Sequence, residues 1–387
     1  MKNICIVTAT RAEYGLLRPL MSAIKKDHHL FNLQLLVTGA HLSPEFAYTY
    51  KQIEEEGFTI DAKVEMLLSA DTGTSIVKSM GLGMIGFADT LQRLNPDCIV
   101  ILGDRYEMLS VATAASVLKI PIIHLHGGEI TEGAYDDAFR HAISKLAHIH
   151  FSSTEEHRKR IIQMGENPTT VFNVGAIGID NIKKLKLLSK KELAKQLDIK
   201  WKEKIYQVTY HPETLSNISS KELFGNLLSA IDEIENATFV FTKSNADTDG
   251  RIINNMIDEY VLRNEEKAKA FTSLGAIKFL SLLSISNGII GNSSSGIIEA
   301  PSFRIPTINI GDRQKGRMQS TSVINVSPDK ESIYTAILQS QSEKFESILA
   351  SSINPYGDGE TTEKIMTILK SLDFSKLTSK SFYNIQF

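Results

Sequence analysis

The chain has 387 residues, 42 % hydrophobic and 22 % charged, a composition typical of a folded globular protein and far from the disordered range. Lys and Arg number 42 and Asp and Glu 45, a net charge of −3. This argues against a dedicated nucleic-acid binder but leaves room for a local basic pocket that takes an anionic metabolite. At ~150 residues per domain the length suggests two or three domains.

The N-terminal apolar stretch Ile4–Val7 is too short for a signal peptide, and no run approaches the ~20 apolar residues that span a bilayer. The expectation is a cytoplasmic protein with no membrane partner. The two cysteines, Cys5 and Cys98, lie in apolar runs and are expected to be small core residues; two alone cannot build a structural zinc site.

In chain order, the first half predicts strands at Ile4–Thr8, Leu33–Val37, Ala62–Glu65, Cys98–Leu102, Pro121–Leu125, His148–Phe151 and Thr170–Val174. Between them lie helical patterns at Leu16–Lys26, Glu45–Glu56, Thr74–Leu94, Asp136–Ala147 and Thr154–Met164. Runs such as Cys-Ile-Val-Ile-Leu lack polar alternation, so helices must cover both faces of a parallel sheet. From Gly175 to Trp201 the pattern loosens into a lysine-rich segment, Lys183, Lys184, Lys186, Lys190, Lys191 and Lys195. It reads as a solvated helix face near a linker or as a basic docking surface.

A second alternating series follows, with strands at Ile205–Thr209, Thr238–Thr242, Lys269–Thr272, Gly288–Ile290 and Thr307–Ile310. Its helices are expected at Lys221–Glu235, Asp249–Leu262, Ile277–Leu283 and Ser294–Ala300. The fold class is therefore α/β, with two Rossmann-like, doubly wound parallel-sheet domains facing a cleft. Residues 1–175 form the first domain and 176–360 the second. The last helical pattern, within 361–387, packs back on the first domain.

Ligands bind beyond the carboxyl ends of strands in such sheets, and four clusters stand there. Thr8–Gly15 carries Arg11, which suits a phosphate at a helix start or pairs with Glu13 as an exposed helix-start couple. Gly103-Asp104-Arg105-Tyr106-Glu107 puts an acid at a buried strand tip; Asp104 is either a cleft acid or a helix N-cap.

The third cluster, His126-Gly127-Gly128-Glu129 followed by Asp136-Asp137-Ala138-Phe139-Arg140-His141, holds more ionisable groups than helix capping requires. Its glycines are expected to let the backbone approach a ligand. His124, inside the apolar strand, reads as a core histidine. The fourth cluster, Gly291-Asn292-Ser293-Ser294-Ser295-Gly296, offers three hydroxyls and free N–H groups to a diphosphate. Glu299 lies one turn further in, suited to a ribose diol. Arg313 follows in a cationic loop, and Tyr210-His211-Pro212-Glu213 ends the second half's first strand.

Taken together, Thr-Arg-Ala-Glu-Tyr-Gly, Gly-Asp-Arg-Tyr-Glu, His-Gly-Gly-Glu, Asp-Asp-x-x-Arg-His-x-x-x-Lys-Leu, His-Pro-Glu-Thr and Gly-Asn-Ser-Ser-Ser-Gly-Ile-Ile-Glu resemble the hydrolysing UDP-N-acetylglucosamine 2-epimerases of sialic and legionaminic acid synthesis. The resemblance covers nearly the whole chain. It implies a glycosyltransferase-B-like fold with UDP held mainly by the second domain. The reaction it implies eliminates UDP to give a 2-acetamidoglucal, which water then converts to N-acetylmannosamine. UDP-2,4-diacetamido-2,4,6-trideoxyglucose (UDP-N,N′-diacetylbacillosamine) is the alternative substrate. A glycosyltransferase of the same fold, a non-hydrolysing epimerase and a nucleotide-sugar sensor are the competing readings.

The resemblance implies no metal or nicotinamide cofactor, and a homo-oligomer, dimer or tetramer. Asp104, Asp136 and His211 match the family's catalytic positions. Arg11, Arg105, Ser293, Ser294, Glu299 and Arg313 match its UDP contacts, with Ser295 in the same loop. Several relatives carry a glutamate where this chain has His126, and some sialic-acid-pathway relatives share the histidine. Either His126 takes the glutamate's role, or Glu129 or Asp136 does.

Overall fold

The computed structural model describes residues 1–70, 72–131, 134–213, 218–244, 250–377 and 379–386, apart from the side chain of Lys184. Asp249, expected to start a helix, and Thr214 of the His-Pro-Glu-Thr motif lie outside the described residues.

The elements run β1 (Lys2–Thr8), α1 (Arg11–Lys26), β2 (Phe31–Thr38), α2 (Tyr50–Glu55), β3 (Ala62–Val64), α3 (Gly73–Leu94), β4 (Cys98–Leu102), α4 (Tyr106–Val117), β5 (Ile122–Leu125), α5 (Asp136–Leu146), β6 (Ile149–Ser152), α6 (Glu155–Gln163) and β7 (Val171–Asn173). They continue as α7 (Ile177–Lys184), α8 (Lys190–Leu197), β8 (Lys204–Thr209), α9 (Ser220–Asp232), β9 (Ala237–Thr242), α10 (Gly250–Arg263), β10 (Ala268–Phe271), α11 (Gly275–Ile285), β11 (Gly288–Gly291) and α12 (Ser294–Ile298). Last come β12 (Thr307–Ile310), β13 (Val323–Val326), α13 (Lys330–Gln339), α14 (Glu343–Ser351) and α15 (Thr361–Ser371).

The chain forms two compact units. The first comprises Met1–Glu129, Asp136–Asn181 and Tyr356–Phe387; the second, Ile130–Tyr135 and Ile182–Pro355. The first sheet has the order β3-β2-β1-β4-β5-β6-β7 and the second β10-β9-β8-β11-β12-β13. All the paired strands are parallel. Both are doubly wound, and in each the strand order reverses at one point, between β1 and β4 and between β8 and β11. The loops after those four strands are where such sheets place ligands.

Covered sheet faces explain the unbroken apolar runs. Every residue of β4 is buried, and Cys5 and Cys98 are free thiols in that core. Burial pushes the Cys5 thiol up to about 12, so it is an inert packing group. The first core joins β1, β2, β4, β5 and β6 to Tyr14, Leu17 and Leu20 of α1 and to Ile365, Met366 and Leu369 of α15. The C-terminal helix thus packs on the first unit. Its start is fixed by buried Asp180, whose two carboxylate oxygens accept from the N–H groups of Thr361 (2.8 Å) and Thr362 (2.7 Å). Truncating one large aliphatic side chain in such a core costs ~2–5 kcal/mol.

Two helix expectations change, whereas the lysine-rich segment is helical with Lys183, Lys190, Lys191 and Lys195 exposed, in keeping with a solvated helix face. The helix expected at Glu45–Glu56 is a single 3₁₀ turn, Pro44–Phe46, followed by the short α2, because Ala47 and Tyr48 adopt positive φ (59° and 48°) and break it. The lysine-rich segment folds as α7 and α8, the latter started by a capping box between Ser189 and Glu192. The helix expected at Ser294–Ala300 stops at Ile298 and tightens into a 3₁₀ turn, Ala300–Phe303, at Pro301.

Candidate functional site

At the tip of β4, Gly103 takes φ +79° and its N–H donates to Leu125 O (3.0 Å), extending the β4–β5 pairing one residue past the strand. Asp104 comes next. It does not cap α4: the N-cap is Arg105, which makes no side-chain capping bond. Instead Asp104 Oδ2 accepts from Arg140 Nη2.

Arg140 is 2 % exposed and holds three groups. Besides Asp104, its Nη1 donates to Glu129 Oε2 (3.0 Å) and to the main-chain oxygen of His126 (3.4 Å). Glu129, itself buried, also accepts from Ser153 Oγ (2.8 Å) and from His126 Nδ1 (2.9 Å) through Oε1. Ser153 in turn accepts from His157 Nδ1 (2.9 Å). A buried charge persists only when paired and hydrogen-bonded, and here one guanidinium serves two carboxylates in the fork geometry that arginine alone provides. Asp104 keeps 22 % of its side-chain surface exposed, Glu129 only 2 %. Asp136 opens α5, half-buried, one turn before Arg140 on the same face.

The two glycines between His126 and Glu129 answer to packing. A Cβ on Gly127 would lie 2.8 Å from Ser144 Oγ and 2.9 Å from His124 Nδ1. On Gly128, at φ +76°, it would lie 2.4 Å from His157 O. Both glycines therefore lie in a tight turn pressed on its own framework. His124 is the core histidine expected: Nε2 donates to Gly103 O (2.7 Å), Nδ1 accepts from Ser144 (3.1 Å), and burial pulls it down to about 3.

Arg11 is the first residue of α1, half-buried, and burial lowers its guanidinium from the ordinary range. Glu13 does not pair with it. Glu13 Oε2 accepts from the N–H groups of Ala9 (2.8 Å) and Thr10 (3.2 Å) in a capping box, and burial followed by the Glu107 charge raises it to about 7. Arg105 forms a two-pronged pair with Glu107, 3.2 and 3.3 Å.

In the second unit, His211 follows β8 and the serine loop follows β11. Asn292, fully buried, ties the two together. Its side chain accepts from His211 N (2.7 Å) and donates to His211 O (2.8 Å), while its own carbonyl accepts from Arg313 Nη1 (3.2 Å) and Gln314 Nε2 (2.8 Å). His211 Nδ1 bonds Ser244 Oγ (3.2 Å). Ser293 is the N-cap of α12, accepting from Ser295 N (3.3 Å); all three serines are half-exposed, whereas Gly296 and Glu299 are buried. Gly291 must be glycine, since at φ +135° a Cβ would sit 1.9 Å from Thr209 O.

The structure thus joins Asp104, His126 and Glu129 in one network, and His211, Arg313 and the serine loop in another. Sequence reasoning passed over Arg140 and Asn292 as site residues, although both lie inside quoted motifs. The available signal for Arg140 was its four-residue spacing from Asp136 on one helix face. Among the described residues no group of three or more His, Cys, Asp or Glu is placed to hold a metal ion, and no helix is long and apolar enough to cross a membrane.

A family model described as UDP-N-acetylglucosamine 2-epimerase matches residues 22–370. The GDP/UDP-N,N′-diacetylbacillosamine 2-epimerase (hydrolyzing) of Campylobacter jejuni is 49 % identical over 324 residues, 84 % of either chain. The polysialic acid biosynthesis protein P7 of Escherichia coli is 41 % identical over all of this chain and 98 % of its own length. In fold, the chain is similar to the crystal structure of UDP-GlcNAc 2-epimerase from Neisseria meningitidis bound to UDP-GlcNAc, with a TM-score of 0.78, 19 % identity, and 96 % of this chain and all of that one covered. With nine-tenths of its length inside the family model, the chain belongs to the UDP-N-acetylglucosamine 2-epimerase family.

Proposed function

We propose that the protein is a hydrolysing UDP-sugar 2-epimerase that converts a UDP-2-acetamido sugar and water to UDP and the free 2-epimeric sugar. The observation that carries this reading is the acid network at the end of β4: a partly exposed carboxylate, Asp104, held by a buried guanidinium that a second carboxylate, Glu129, locks in place.

A proton beside an acetal carbon is weakly acidic, so its removal needs a fixed base in a site shielded from water. In the first step a base takes the C2 proton, its bonding pair becomes the C1=C2 double bond, and the C1–O bond breaks to release UDP. In the second, hydroxide from water bonds to C1 while C2 receives a proton on the opposite face, so two groups are needed. Asp104 and Asp136 are the half-exposed acids of the first unit suited to them, and His211 is the candidate in the second. Asp104, partly exposed and held in place by Arg140, is the candidate base in this reading.

The departing diphosphate is stabilised by Arg11, Arg313 and the loop Ser293–Ser295, with Glu299 on the ribose. Arg105, paired with Glu107, supplies hydrogen bonds more than net charge. In this reading residues 1–175 carry most of the proton chemistry, with His211 as the exception, and 176–360 hold most of the nucleotide, with Arg11 and Arg105 added from the first domain.

Two sugars fit. UDP-N-acetylglucosamine yields N-acetylmannosamine. The second reading, UDP-N,N′-diacetylbacillosamine, is favoured by the 49 % identity to the C. jejuni protein named for that sugar. Side-by-side kcat/KM on the two nucleotide sugars decides between them. A transferase would release little UDP in water alone, and a non-hydrolysing epimerase would give an epimeric UDP-sugar with no free UDP; either result ends the proposal.

A further inference from the structure

His126 opens the His-Gly-Gly-Glu motif after β5 and contacts Glu129, so it is an obvious candidate for a proton-transferring group. Its surroundings say otherwise. The ring is buried, with 10 % of the side chain exposed, and both nitrogens are engaged. Nε2 faces the N–H of Ile177 at 3.3 Å, and Nδ1 faces Glu129 Oε1 at 2.9 Å. A main-chain N–H can only donate, so Nε2 must present its lone pair. A carboxylate can only accept, so the ring proton must sit on Nδ1. One form satisfies both contacts: the neutral Nδ1–H tautomer. Protonating Nε2 would set two donors against each other; removing the Nδ1 proton would set two acceptors against each other. Either change leaves a buried polar group unpaired.

The main chain of His126 is pinned as firmly. The residue holds φ +64°, its N–H donates to Phe151 O (2.9 Å), and its carbonyl accepts from Arg140 Nη1 (3.4 Å). Ile177 is the first residue of α7, so its N–H has no partner within the helix and needs an acceptor from outside. The imidazole provides it. From there the bonds run through Nδ1 to Glu129, from Glu129 to Arg140, and from Arg140 to Asp104. Polar groups packed around this path include His124 on β5, and Ser153 with His157 at the start of α6.

We propose that His126 is a positioning residue: its imidazole is a fixed bridge from the start of α7 to Glu129, it acts on Asp104 only through Glu129 and Arg140, and it neither gives nor takes a proton in the reaction. The effect on turnover rests on the epimerase reading; the state of the ring does not.

The test pairs two substitutions with a direct view of the ring. His126→Asn keeps an N–H donor near the Nδ1 position and is well suited to positive φ; His126→Phe keeps a ring and loses both hydrogen bonds. With the nucleotide sugar that the wild type turns over, His126→Asn is expected to keep kcat within about fivefold with an unchanged pH profile. His126→Phe is expected to lose kcat by ~50-fold or more while KM stays near wild type.

Equal loss of ~10³-fold in both variants, or a missing limb in the pH profile of His126→Asn, would overturn the proposal. Selective ¹⁵N labelling of the histidines, with the His126 signal assigned by its absence in His126→Asn, reads the ring in the intact wild-type protein. A neutral Nδ1–H ring under the conditions of the assay supports the proposal; an Nε2–H or doubly protonated ring overturns it. If neither nucleotide sugar is turned over, the epimerase reading fails, and the nitrogen spectra alone decide the role of His126.

Discussion

Arg140 donates to Asp104 from the inner face of α5, so a guanidinium 2 % exposed holds the acid at the tip of β4. Because the same group also holds Glu129, one side chain fixes the spacing of two carboxylates from different loops. Lysine offers a single ammonium and cannot reproduce the fork. Arg140→Lys is therefore expected to lower kcat by ~100-fold. Arg140→Ala, which strands the buried Glu129 charge, should destabilise the fold by ~3–5 kcal/mol in urea unfolding. Wild-type turnover in Arg140→Lys would remove the network from the mechanism.

Asp104→Asn keeps the shape of the acid and removes its basicity. Together with Asp136→Asn, it is expected to lower kcat by ~10³-fold, the range typical of a lost general acid or base, with UDP affinity retained in calorimetry. A variant with near-normal kcat would clear that residue of any part in proton transfer.

The fold was largely legible because its signals are local. Apolar runs without alternation, such as Cys98–Leu102, declared covered parallel strands, and β4 is buried end to end. β13 escaped because its four residues, Val323–Val326, lie at a sheet edge and are half-exposed, so they lack that signature. At the site, the sequence marked which loops matter but not who holds whom. Asp104 and Arg140 are 36 residues apart and meet only once β4 and α5 are placed side by side. His126 could be named from its motif, yet its ring is defined by Ile177, 51 residues on. No spacing rule within a motif reaches that far.

The serine loop separates structure from binding. Ser293 caps α12, so Ser293→Ala is expected to cost ~1 kcal/mol of stability, recovered mostly in Ser293→Gly. Ser294, half-exposed with its hydroxyl outside the cap, should instead weaken UDP binding about fivefold as Ser294→Ala, the loss of one net hydrogen bond. Calorimetric UDP titration beside thermal melts resolves the two; unchanged UDP affinity in Ser294→Ala would refute the diphosphate assignment.

Glu13 makes stability depend on pH in a direction unusual for a carboxylate. Burial, with Glu107 nearby, raises it to about 7 in the folded protein, against the ordinary 4.5. Between those values the native state holds a proton that the unfolded chain has released, so ∂ΔG/∂pH for unfolding is negative there. The contribution is fully present below about 4.5 and lost as pH rises through about 7. Glu13→Gln fixes the neutral form and still offers an oxygen to the Ala9 and Thr10 N–H groups. The variant should therefore be more stable than wild type at pH 8, by on the order of 1–3 kcal/mol at ~1.4 kcal/mol per unit, with the gap closing toward pH 5. Chemical denaturation of both proteins across that range measures it, and a gap that stays constant with pH would mean that Glu13 does not titrate as its burial demands.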